Sequence, residues 1–278
     1  MQPTARVLHY LSLVACLATL TACTSNSSVD KSVASPPMTN TGFIAGYLPA
    51  NLIPDSLSLL PLPPAAGSPA FAVDEEVTRN SLALRGTPRW TLAIKDANYR
   101  FPEAPAAFSC SLNAPITQQD TPRLYVLLQR AASDASASTN AAKNYYKRPR
   151  PFMVNKEPTC TPDDEKYLVN NGSYPSGHSA FGWTLALLLS ELSPEHANAL
   201  LARGRAFGES RNVCNVHWRS DVVEGRYIAT GVVAVLHSDA TFRADMEAAN
   251  AEITAAHAKG LKPTRDCAEE TAQLSTGK

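Results

Sequence analysis

Four hydroxyl–proline pairs, Thr87-Pro88, Thr121-Pro122, Thr161-Pro162 and Ser193-Pro194, divide the later chain into stretches that each open as a helix opens. A Thr or Ser oxygen can accept from an N–H group that a helix leaves free in its first turn. A proline at the first helical position loses nothing, because its missing N–H would have had no partner there. Asp163, Asp164 and Glu165 follow one such pair, where carboxylates meet the positive end of the helix dipole. Apolar residues then recur at helical spacing, as in Leu124, Leu127 and Leu128 and in Leu185, Leu188 and Leu189. No Asn-Gly pair stands between alternating strands. The pattern predicts an all-α body, one helical bundle of about eight to ten helices of ordinary length.

Punctuation of other kinds sets the expected boundaries. Arg6 precedes the apolar run 7–20, which is short for a membrane span and has the form of a secretion signal. The run ends in Leu20-Thr21-Ala22-Cys23, which resembles a bacterial lipobox. On that reading residues 1–22 are removed and Cys23 becomes a lipidated N-terminus. Ordinary cleavage nearby, with Cys23 incidental, is the competing reading, and both predict export. No aspartate follows Cys23 to suggest inner-membrane retention, so the expected location is the periplasm, anchored at the outer membrane. Residues 23–42, rich in Ser, Thr, Asn and Pro, read as a flexible linker. Residues 43–70 carry Pro49, Pro54, Pro61, Pro63, Pro64 and Pro69 and are expected as an extended arm and not a helix. The domain is expected over 71–260, with 261–278 as a C-terminal tail.

Within the body, the apolar run 180–189 is half a membrane span and is expected at the centre of the bundle; Glu224 and Arg226 interrupt the apolar stretch 222–236. With 44% apolar residues and a formal charge of zero, the chain can bury a core, and no basic excess points to nucleic acid. Beyond Cys16 and Cys23, four cysteines remain: Cys110, Cys160, Cys214 and Cys267. An even number in an exported chain predicts two disulfides, with three connectivities open. None stands in a C-x-x-C pair, so neither a zinc site nor a redox motif is expected.

Three polar segments have no evident role in a core. KNYYKRPRP, 143–151, delivers cations at a helix end and the turn after it. YPSGHSAFGW, 174–183, opens a helix at Ser176, and a helix N-terminus offers free N–H groups to an anion. SRNVCNVHWRSD, 210–221, spaces His217 and Asp221 four apart, on one face of a helix. Alone, each has a bland alternative: an exposed basic face, a plain capped helix start, or a buried histidine satisfied by its neighbour. Together they run in order as Lys143, six residues, Arg150-Pro151; then Pro175-Ser176-Gly177-His178; then Arg211, five residues, His217, three residues, Asp221. This order and spacing resembles the signature of the PAP2 phosphatase superfamily, which includes the vanadium haloperoxidases. Arg148-Pro149 is out of register for it, because Ala141 stands seven residues before Arg148. The surroundings NGSYPSGH, GESR and HWRSDV, and the Pro-rich arm, are similar to the class A bacterial non-specific acid phosphatases over roughly residues 43–258. Arg219 departs from the glutamine common there, which bears on fine specificity and not on the reaction.

The resemblance implies an exported, all-helical, metal-independent enzyme that hydrolyses a broad range of phosphate monoesters. His217 is then the nucleophile forming a phosphohistidine, Asp221 fixes its tautomer, and His178 protonates the leaving alcohol and later activates water. Lys143, Arg150, Ser176, Gly177 and Arg211 hold the phosphoryl oxygens. No cofactor is implied, and vanadate is expected as an inhibitory mimic. Relatives also imply the pairing Cys160–Cys214 and Cys110–Cys267, and a possible homo-oligomer. Small phosphomonoesters are the expected partners, with membrane contact only through an N-terminal lipid. A vanadate-dependent haloperoxidase, a phosphotransferase and a binding lipoprotein without activity are the alternatives. Lipid phosphate phosphatases share the motif but are built on several membrane-spanning helices. His196, His237 and His257 lack a motif and read as structural, and Tyr145, Tyr146 and Trp218 as packing, with Tyr146 able to border the pocket.

Overall fold

The computed structural model describes residues 44–276; the signal segment, Cys23 and the whole of the linker lie outside them. Nine helices of seven or more residues make up the body, and no strand occurs among the described residues. They are α1 (Pro69–Leu82), α2 (Pro88–Ala97), α3 (Pro122–Ser138), α4 (Asn140–Tyr146), α5 (Gly177–Leu192), α6 (Ala197–Val213), α7 (Arg219–Leu236), α8 (Ala240–Ala258) and α9 (Cys267–Ser275). The all-α expectation therefore holds. No described helix is long and apolar enough to cross a membrane.

Helix α5 is the centre. It packs against α6, α7 and α3, with α8 behind α3, α2 against α6, and α1 across α6 and α7. Its residues Ala180, Leu185, Ala186, Leu188 and Leu189 are fully buried, as are Leu124, Leu127 and Leu128 on α3. Helices α5 and α6 approach closely because glycines face side chains across the seam. A Cβ on Gly182 would collide with the Phe207 ring, and one on Gly204 with the Ala186 methyl.

The four hydroxyl–proline pairs mark real starts, yet only one hydroxyl caps as expected. Thr87 Oγ1 accepts from Trp90 N at 3.4 Å. At α3 the free first-turn N–H groups of Arg123 and Leu124 instead donate to the Glu252 carboxylate of α8, at 2.9 and 3.0 Å. Thr121 Oγ1 is turned back to accept from Thr117 N. Thr161 and Ser193 open short 3-10 turns without a side-chain cap. A tertiary carboxylate that satisfies two donors displaces a local hydroxyl that could satisfy one.

Two segments differ from expectation. The arm is not extended throughout: Ala50–Leu52 is a 3-10 turn and Ser56–Leu59 a single helical turn capped by Asp55. Its prolines fall outside those turns, Pro69 already opens α1, and the arm is bound to the body. Tyr47 N donates to Asp134, Arg130 lies 3.7 Å over the Tyr47 ring, Ala142 N donates to Ser56 Oγ, and the Tyr174 hydroxyl donates to Pro61 O. The segment 261–278 carries α9, which packs on α2 and places Glu270, buried, 3.4 Å from Arg203 of α6. The cysteines pair as Cys110–Cys267 and Cys160–Cys214, with Cα separations of 5.5 and 4.7 Å.

Candidate active site

The three polar segments are sewn together by backbone bonds. Ser173 N donates to Arg148 O, Phe152 N to Asn215 O, and Ser176 N to Asp221 O at 2.9 Å. Each functional side chain then sits at the end of an element: Lys143 in the last turn of α4, Arg150 just before the Pro151–Asn155 turn, Ser176 as N-cap of α5, Arg211 in the last turn of α6, and Asp221 in the first turn of α7. Element ends are where a chain brings polar side chains and free N–H groups to one place without breaking a helix.

His217 is 3% exposed and held from both sides. Its Nδ1 lies 3.2 Å from Asp221 Oδ2, and its Nε2 lies 3.0 Å from Arg150 Nη1. Arginine can only donate, so Nε2 is the acceptor and the ring proton resides on Nδ1, donated to the carboxylate. The Nε2 lone pair is thus free of a proton and faces a cation. Burial, then Arg150, Lys143 and Arg211, hold the imidazole pKa well below its usual value. His178, half-buried, donates Nε2–H to Ala97 O at 2.8 Å, which leaves Nδ1 as its unprotonated nitrogen. Burial and then Arg211 depress its pKa as well.

The cations differ in how they are held. Arg150 Nε donates to Leu168 O and Asn171 O, and its Nη1 to Val216 O, so its guanidinium is fixed. Burial lowers its pKa to about 10. Lys143 Nζ donates to Gly172 O at 2.9 Å, and burial and then Arg150 push its pKa down. Arg211 is 2% exposed, and its Nε and Nη1 make no hydrogen bond. Burial and then Arg150 lower it to about 10. A buried guanidinium with two idle donors beside two further cations is costly by itself and is suited to binding an anion. Ser176 Oγ accepts from Ser179 N at 3.2 Å, which leaves its own proton to donate. A Cβ on Gly177 would sit 3.8 Å from Lys143 Cε, beside the same space. Among the described residues no group of three or more His, Cys, Asp or Glu converges as a metal site.

The predicted catalytic and phosphate-binding residues His217, His178, Asp221, Lys143, Arg150, Ser176, Gly177 and Arg211 thus belong to one cluster. Residues 124–244, which contain all of it, match the PAP2 superfamily family model. The chain is 42% identical over 207 residues to a non-specific acid phosphatase of Providencia stuartii, covering 74% of this chain and 84% of that one. It is 40% identical over 209 residues to an acid phosphatase of Zymomonas mobilis, covering 75% and 79%. With a non-specific acid phosphatase of Salmonella typhimurium it shares 40% over 195 residues, covering 70% and 78%. The chain belongs to the PAP2 superfamily, with the class A bacterial acid phosphatases. It is an acid phosphatase.

Residues that the motif reading passed over also border this phosphatase's site. Tyr99, after α2, meets the His178 ring edge-on at 4.6 Å between centroids. Arg148, dismissed as out of register, is 7% exposed and donates to Asp221 Oδ1 at 2.6 Å and to Asp74 Oδ2 at 2.8 Å. A signal for Arg148 existed: it lies two residues from Arg150 on non-helical backbone, the spacing that turns both side chains to one side. Asp74 had none, since nothing in α1 marks it apart from a solvated carboxylate. Trp218 is packing, as read, tilted against Phe71 with centroids 5.0 Å apart, and Tyr146 packs on Tyr174. Arg219 is exposed at the start of α7. His196 and His257 lie ring to ring at 5.6 Å, and His237 pairs with Glu191, away from the cluster.

Proposed function

We propose that the enzyme is an exported, metal-independent acid phosphatase that hydrolyses a broad range of phosphomonoesters through a phosphohistidine. The observation that carries this reading is the proton-free Nε2 of His217, held beside Lys143, Arg150 and the idle donors of Arg211. Nε2 attacks phosphorus, the P–N bond forms as the ester P–O bond breaks, and the leaving alkoxide takes a proton from His178. In the second half His178 removes a proton from water, the oxygen attacks phosphorus, and the P–N bond breaks to free phosphate and neutral His217. The cations serve twice. They stabilise the equatorial oxygens, and, after burial, they help keep His217 unprotonated in mild acid, where an ordinary imidazole would be largely charged and useless as a nucleophile. His178 obtains its proton when the phosphate dianion offsets Arg211, the second cause of its depressed pKa.

Three cations around the reacting position leave a metal ion no role in charge neutralisation, which supports a reaction insensitive to chelators. Vanadate, isosteric with phosphate, is expected to occupy the same cradle and inhibit. A haloperoxidase would instead show halide-dependent oxidation by peroxide in added vanadate. Transfer of phosphate to alcohols would use the same intermediate. Export, with Cys23 lipidated and the enzyme on the periplasmic side of the outer membrane, is part of the proposal and rests on the sequence of residues 1–23. The test is p-nitrophenyl phosphate hydrolysis at mildly acid pH with EDTA, comparing wild type with His217→Ala. Turnover that survives EDTA and drops by roughly 10^4 or more in the variant is the expected result. A folded His217→Ala protein with wild-type turnover would sink the phosphohistidine.

A further inference from the structure

Behind the nucleophile lies a second group of buried charges that the proposed chemistry does not use. Asp221 binds with both oxygens. Oδ2 accepts from His217 Nδ1 and from Trp218 N at 2.8 Å, and Oδ1 accepts from Arg148 Nη1 at 2.6 Å. The same Nη1 reaches Ser220 Oγ at 2.8 Å. Arg148 Nη2 donates to Asp74 Oδ2 at 2.8 Å, and Asp74 accepts Ser220 N at 2.7 Å and Ser220 Oγ at 2.6 Å. Asp74, Arg148, Asp221 and His217 thus form an unbroken chain through α1, the segment before Pro149 and the first turn of α7. Asp74 is 1% exposed and Asp221 is fully buried. Phe71 and Trp218 lie 5.9 and 5.5 Å from the Arg148 guanidinium carbon and close the group from water.

We infer that Arg148 and Asp74 are positioning residues, which hold the Asp221 carboxylate fixed in rotation so that His217 keeps its proton on Nδ1 and its lone pair on Nε2. The inference rests on His217 being the nucleophile. Its physical basis is the accounting around Asp221. A buried carboxylate with Oδ1 unpaired would turn to find a donor, and a turned Asp221 would no longer accept from Nδ1. Arg148 prevents this by occupying Oδ1. Arg148 is in turn a buried cation, and Asp74 with Ser220 fixes its orientation. None of these three side chains is needed to hold the phosphoryl group, which falls to Lys143, Arg150 and Arg211.

The separation of roles gives a signature that a merely structural contribution would not. Around His217 the charged and titratable groups are Arg150, Lys143, Arg211, Asp221 and His178; around Asp221 they are Arg148, His217, Arg150 and Lys143; around Arg148, Asp221 and Asp74. Removing the Arg148 charge takes a cation away from His217, so protonation becomes easier and the acid limb of kcat/KM moves to higher pH. Removing the Asp74 charge acts with the opposite sign and moves that limb to lower pH. The experiment measures kcat, KM, vanadate inhibition and the pH profile with p-nitrophenyl phosphate for wild type, Arg148→Met, Arg148→Lys, Asp74→Asn and His217→Ala. Arg148→Met is expected to lose about 100-fold in kcat with KM and vanadate affinity within about threefold. Arg148→Lys recovers part of the loss, and the two limbs shift in opposite directions. Arg148→Met and Asp74→Asn proteins that keep wild-type kcat and acid limb, or that lose substrate and vanadate affinity as steeply as kcat, overturn the inference. Should Arg148→Met not fold, Asp74→Asn decides alone, by whether its acid limb moves down or stays. An inactive His217→Ala beside unaltered Arg148 and Asp74 variants overturns this inference only, whereas an active His217→Ala overturns the phosphohistidine as well.

Discussion

Arg211 shows how an active site and a stable core make opposite demands on one side chain. Its guanidinium is buried, its Nε and Nη1 are idle, and Arg150 stands close enough to lower its pKa. Arg211→Met keeps the side-chain volume and removes the uncompensated charge. The expected outcome is a protein whose melting temperature without ligand rises, by the equivalent of roughly 1–3 kcal/mol. Its phosphatase activity falls by about 100-fold or more, and added phosphate raises its melting temperature less than that of wild type. Calorimetry with and without phosphate, beside activity, checks all three. At this level the motif residues were legible because the reaction needs those residue types at those spacings, and the spacings survive in one dimension. For Arg148 the spacing marked only the side of the chain it shares with Arg150; its role was not legible, because that depends on Asp74, 74 positions away and unmarked in the sequence.

Helix α7 reaches the site because of a residue with no side chain. Gly225 lies one turn beyond Asp221, and a Cβ there would approach Ser176 O to 2.5 Å and Ser179 Cβ to 2.9 Å. The first of these is backbone and cannot swing aside. Gly225→Ala must therefore spread α5 and α7 at the point where Ser176 N bonds Asp221 O. A stability loss of about 1–3 kcal/mol is expected, with a fall in kcat/KM of about 100-fold from a displaced cradle. Chemical denaturation beside kinetics tests it, and a variant that is destabilised yet fully active would refute the coupling. The helix starts were legible from their prolines, whose missing N–H is a local matter. The caps were not, because Glu252 arrives from α8 to serve α3, and no local pattern announces a donor's distant partner.

In the molecule as a whole, the end of α2 ties the periphery to the chemistry. Asp96 accepts from Arg203 and from Ser210 Oγ, Arg89 donates to Ser210 Oγ at 2.9 Å, and Ala97 O receives His178. Helix α9 covers this group with Glu270 and is fastened by Cys110–Cys267, which closes a loop of 157 residues. In the chain-entropy account such a crosslink contributes roughly 5 kcal/mol. Cys267→Ser is expected to lower the melting temperature markedly while leaving kcat/KM of the folded enzyme close to wild type, because α9 touches no group that meets phosphate. Thermal melts and room-temperature kinetics check this. Helix starts are properties of neighbouring positions along the chain, so the all-helical body could be read from the sequence alone, and the order and spacing of the three polar segments carried the resemblance to the acid phosphatases. The docking of α9, the helical turns within the arm, the distant cap on α3 and the Asp74–Arg148–Asp221 chain came only from the fold. Each is a contact between groups far apart in sequence, whose energy exists only when folding has brought both out of water together.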